Sequence, residues 1–171
     1  KLTIKELASL PREDHPSLAK ILSISPHQTN RFNKALSALP DVEVSLPSDS
    51  LTPESITVVL RRKTPLTARE ARAYAPRFPK SQTEGWIVIV GDKQRDQVWG
   101  VKRVAWQGDV GVGRRPSAKA VVKIPSPDVV LDDEVGKKQD GEAEGRKVDV
   151  WVLSDAYVGL EWVFDGGVLP A

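Results

Sequence analysis

EGWIVIVGDKQRDQVWGVKRV, residues 84–104, reads as two β-strands joined by a polar turn. Gly85–Asp92 is apolar on both faces, which predicts a central strand rather than an edge strand. DKQRDQ (92–97) supplies the turn, and VWGVKRVAW (98–106) returns as the second strand. The same period of two recurs on either side of this hairpin. It appears in VEVSL (42–46), in SITVVLRR (55–62) with Ile56, Val58 and Leu60 on one face, and in AKAVVKIPSP (118–127). It appears again in KVDVWVLSD (147–155) and LEWVFDGGVL (160–169).

Seven short strands separated by turn signals predict an antiparallel β-sandwich of immunoglobulin or fibronectin type III kind. The inter-sheet disulfide of antibody domains is impossible here, because the chain has no cysteine. Tyr157 falls after its strand rather than near the start, so no tyrosine corner is expected.

Before residue 41 the period is helical. Thr3 and Glu6 have the spacing of a capping box, with Ile4, Leu7 and Leu10 on one face. Ser17–Leu22 reads as a second short turn or helix. In SPHQTNRFNKALSALP (25–40), Ser25 is a suitable N-cap and Pro26 a suitable first residue; Phe32, Ala35, Leu36 and Leu39 then form one stripe, and Pro40 ends it. This stretch has too little apolar surface to fold alone. The expected division is a helical segment over 1–40, which the resemblance described below makes the end of a helical domain, and a sandwich over 41–171 with an acidic insertion near 128–145.

The chain has 171 residues, 40% of them hydrophobic and 28% charged, a globular composition. The absence of cysteine excludes disulfides, thiolate metal sites and cysteine nucleophiles, and leans towards a reducing compartment. No apolar run is long enough to span a bilayer, so no membrane partner is expected. Lys1 in first place and the absence of methionine make the chain read as a piece of something longer. The net charge of +2 is too small to imply nucleic acid by itself.

The charges are unevenly placed, however. Residues 61–80 hold seven Lys or Arg (Arg61, Arg62, Lys63, Arg69, Arg72, Arg77 and Lys80) against Glu70 alone. Such residues would track a phosphate backbone, with Tyr74 and Phe78 stacking on bases; the plainer reading is a solvated loop. Trp86 and Trp151 read as core, whereas Trp99, Trp106 and Trp162 read as candidates for a recognition surface. Residues 128–145 hold seven acids, and Asp128, Asp132, Asp133 and Glu134 could suggest calcium, although their spacing is not that of an EF-hand. His15 and His27 read as exposed, with no partners at zinc-ligand spacing. Gly108–Arg115 lacks the Gly-Lys-Ser/Thr of a phosphate loop, and Ser154 lacks the glycines of a nucleophile elbow. No catalytic residue, metal site or cofactor site is expected in this chain.

Two longer strings carry a resemblance: APRFPKSQTEGWIVIVGDKQRDQVWGVKRV (75–104) and VWVLSDAYVGLEWVFD (150–165). Pro76, Phe78, Pro79, Glu84, Trp86, Gly91, Asp92, Lys102, Arg103, Val104, Ser154, Asp155, Tyr157, Gly159 and Leu160 match a pattern. It is similar to the C-terminal part of the Sec homology unit, found in the translocon J-protein and in the large two-cassette superfamily 2 RNA helicases. Glu161 departs from the aspartate usual at its position. Lys102-Arg103-Val104 and the Ser154–Gly159 segment are more like the helicases. PRFPKS resembles the helicase of the activating signal cointegrator complex and its ribosome-quality-control counterpart, with the spliceosomal helicase second. The resemblance implies a fibronectin-like or immunoglobulin-like module that completes a helicase cassette and docks partners. ATP and magnesium would serve the parent motor rather than this segment. Implied partners are subunits of a helicase complex and the rest of the cassette, with RNA as the alternative; the implied location is cytoplasmic, ribosome-associated, or nuclear. The motif residues would be architectural, with Phe78 and Trp86 in the core and Lys102 and Arg103 pairing with Asp155.

Overall fold

The structure, a computed structural model, describes residues 2–47, 51–52, 54–66, 71–77, 79–107, 111–125 and 147–168. Arg69, Phe78 and the acidic stretch with its calcium candidates lie outside the described residues. Among the described residues, three α-helices, α1 (Ile4–Ser9), α2 (His15–Ile21) and α3 (Pro26–Ala38), precede seven strands. The strands are β1 (Val42–Ser45), β2 (Ser55–Arg62), β3 (Gly85–Asp92), β4 (Gln97–Ala105), β5 (Ser117–Lys123), β6 (Lys147–Ser154) and β7 (Glu161–Val168).

The strands form two antiparallel sheets, one in the order β1-β2-β5 and one in the order β4-β3-β6-β7. The fourth strand joins the second sheet, whereas in constant immunoglobulin domains it joins the first. Alternation decides which side chains meet between the sheets. Ile56, Val58 and Leu60 of β2 and Ala118, Ala120 and Val122 of β5 are buried from one side. Trp86, Val88 and Val90 of β3 and Val148, Val150 and Val152 of β6 are buried from the other.

Trp86 is the largest fully buried side chain. Trp106 and Trp162 meet it edge to face, with ring centroids at 5.5 and 5.7 Å. Each such contact adds about 0.5–1.5 kcal/mol beyond the area it buries. This corrects the surface reading of both residues. Trp106 lies two residues beyond the inward Val104 and is buried with it, while Trp162 is half-buried opposite Val152. Trp151, read as core, faces outward and is only half-buried.

The helices pack into the same apolar cluster as the sheets, through Ala8, Leu18, Leu36 and Leu39. The capping box forms as the spacing predicts: the Thr3 amide donates to Glu6 Oε2 at 2.7 Å and the Glu6 amide donates to Thr3 Oγ1 at 3.2 Å. The α3 stripe also forms, with Leu36 and Leu39 buried and Phe32 and Ala35 half-buried. Ser25 precedes Pro26 but caps no backbone amide; its hydroxyl contacts Gln28 Oε1 at 3.1 Å. His15, read as exposed, is buried at the start of α2.

α1 lies against the start of β7. Lys5 Nζ stands 4.7 Å over the Trp162 ring, and it also donates to the Glu161 carbonyl at 3.4 Å. This contact requires a close approach at Gly159, whose φ is +87° and where a Cβ would lie 2.7 Å from Ile4 Cγ2. Gly159→Val is therefore expected to lower the unfolding free energy by about 1–3 kcal/mol, from left-handed backbone strain and the collision combined. Urea denaturation checks this; an unchanged midpoint would contradict the approach of α1 to the β6–β7 connection.

Candidate interaction site

Four inward positions of β2 end in a charge. Ile56, Val58, Leu60 and Arg62 share one face, so Arg62 enters the interior with the aliphatic residues. Glu84, immediately before β3, meets it from the other sheet. Arg62 Nη2 donates to Glu84 Oε1 at 3.1 Å and Nε donates to Oε2 at 3.2 Å, while Trp106 Nε1 donates to Oε2 at 2.7 Å. The remaining guanidinium nitrogen donates to the Thr64 carbonyl at 2.9 Å and to its hydroxyl at 2.6 Å. Burial raises the Glu84 carboxyl above its ordinary value, against the opposing pull of Arg62 and Trp106; burial likewise lowers Arg62. Desolvation is the dominant influence on both groups, so the short contacts are not by themselves a measure of stability.

Two further clasps surround this pair. Asp155, just after β6, accepts from the Gly85 amide at 2.9 Å and from Arg103 Nη2 at 2.6 Å. The expectation that Lys102 and Arg103 both pair with Asp155 holds for Arg103 only. Lys102 is on the opposite face of β4, and its Nζ donates to the Val121 carbonyl at 3.2 Å. The Tyr157 hydroxyl accepts from the Tyr74 amide at 2.7 Å and donates to the Ala38 carbonyl at 3.4 Å. It thus ties the β6–β7 connection to the β2–β3 connection and to the end of α3.

The structure separates the basic residues singled out from the sequence. Arg61, on the outer face of β2, and Lys63 are exposed; so are Arg72, Arg77 and Lys80 in the β2–β3 connection. Arg62 and Trp106 are not surface groups, because both are committed to Glu84 inside the sandwich. Trp99 is half-buried against the core. Among the described residues, no group of three His, Asp or Glu could hold a metal ion, and no helix is long and apolar enough to cross a membrane.

A different surface emerges from the register. Ile89 of β3 lies opposite Val101 on one side and Trp151 on the other, and Ile87 lies opposite Leu153. All five point away from the core, and Val163 continues the row beyond Trp151 on β7. Val98, Val101 and Val163 are 64%, 62% and 48% exposed. A cavity of about 350 Å³ opens on this face beside Trp151 and Val98, under the β3–β4 turn. Sequence reasoning missed this face. The signal was the double-sided apolarity of Gly85–Asp92: a sandwich strand has one inner face, so its second apolar face must be accounted for outside.

No protein-family model matches the chain. Partial likenesses to RNA helicases exist. The chain is 30% identical over 111 residues (62% of its length) to the DExH-box ATP-dependent RNA helicase DExH14 of Arabidopsis thaliana. It is 30% identical over 97 residues (56%) to activating signal cointegrator 1 complex subunit 3 of Rattus norvegicus. It is 21% identical over 164 residues (92%) to DExH13 of Arabidopsis thaliana. It spans 5%, 4% and 7% of the length of these three proteins. These partial homologies relate the chain to a short segment of DExH-box RNA helicases. A DNA glycosylase from Pseudomonas fluorescens aligns with 95% of this chain and 45% of its own at a TM-score of 0.34 and 12% identity, too slight a likeness to carry an argument.

The buried pair makes a sharp expectation. Arg62→Met or Glu84→Leu alone leaves one partner unsatisfied, and each should cost about 3–5 kcal/mol. The double replacement Arg62→Met/Glu84→Leu should cost less than the sum of the two single changes, as a urea double-mutant cycle would show. In the wild type, Glu84 holds its proton more tightly folded than unfolded. Its contribution is therefore greatest at low pH and is withdrawn as pH rises from the ordinary value of 4.5 through the raised folded value. That slope should vanish from stability–pH curves of Glu84→Gln.

Proposed function

We propose that this chain is a non-catalytic docking and scaffolding module at the C-terminal end of a cassette of a large ATP-dependent RNA helicase. The carrying observation is the apolar outer face of the β4-β3-β6-β7 sheet, held on a frame clasped at Glu84, Asp155 and Tyr157. Antiparallel sheets normally turn a polar face to water, and a contiguous apolar one marks an interaction surface. The partial homologies to RNA helicases support the choice of parent. In this reading, residues 1–40 end a helical domain and 41–171 form the sandwich beyond it. ATP and magnesium would belong to motor domains elsewhere in the parent. The partners are subunits of a helicase complex and the rest of the cassette. Ribosome quality control in the cytoplasm is the setting favoured by the PRFPKS motif, and nuclear splicing is the next.

Val98→Asp/Val101→Asp in the full-length helicase should strip it of one or more co-purifying subunits while its RNA-stimulated ATP hydrolysis stays unchanged. Affinity purification and ATPase assays on the same preparation check both halves. An unchanged set of subunits would contradict the reading.

A second reading, an accessory RNA contact, rests on the exposure of Arg61, Lys63, Arg77 and Lys80. It expects fluorescence anisotropy with single-stranded RNA to show binding that falls steeply with salt, and Arg61→Glu/Lys63→Glu to weaken it for every sequence. The docking reading expects these reversals to leave RNA binding by the full-length helicase unchanged.

A further inference from the structure

We draw no further inference here: the strongest candidate, the row of lysines on the outer face of the three-stranded sheet, where Lys119 and Lys123 of β5 stand either side of the Val121 carbonyl that Lys102 Nζ reaches at 3.2 Å, shares that face with Glu43, and nothing in the structure shows what covers it.

Discussion

A carboxylate buried between two sheets must find its hydrogen-bond partners there, and Glu84 finds them on separate elements. Arg62 comes from β2 in one sheet, and Trp106 comes from just beyond β4 in the other. The arrangement is intolerant of slippage. A one-residue shift in the pairing of β2 would turn Arg62 outward, strand Glu84 and expose Ile56, Val58 and Leu60 together. The pair thus selects one register from those that aliphatic packing alone would nearly satisfy. Glu84 also positions the clasps beside it. Its neighbour Gly85 has no side chain, so the Asp155 carboxylate reaches the Gly85 amide; Asp155 then holds Arg103. Two residues beyond Asp155, Tyr157 reaches the β2–β3 connection and the end of α3.

In the proposed docking role, this frame would keep the outer sheet face fixed. An apolar surface on a loose hairpin would reorganise with every contact. On β3 and β6, each paired on both sides, Ile89 and Trp151 hold fixed positions relative to one another. The sequence similarity to helicases and the exposed face are independent observations. The first concerns ancestry and covers a small part of each relative. The second concerns what these particular side chains leave uncovered.

Strand identity was legible because alternation is local: SITVVLRR and GWIVIVGD coincide with β2 and β3 residue for residue. The capping box and the α3 stripe were legible for the same reason. Charge and residue type mislead where parity opposes them. Arg62 stands among basic neighbours, yet it shares parity with the buried Leu60. Trp106 shares parity with buried Val104, and Trp151 alternates with the buried Val150 and Val152, so the two tryptophans exchanged roles. Other features have no local signal at all. The partners Arg62 and Glu84 are 22 positions apart, and those joined by Tyr157 are 83 and 119 apart. Only the closed sandwich brings them together, and only the assignment of β4 to the second sheet creates the outer face.

The central claim is that one buried cluster holds both sheets in register. Native-state hydrogen exchange on Arg62→Met tests it most directly. If the claim holds, slow-exchanging amides of β2 and β5 in one sheet, and of β3 and β4 in the other, lose protection together and by the same free energy. Loss confined to β2 and its neighbours, with β3 and β4 as protected as in the wild type, would contradict it.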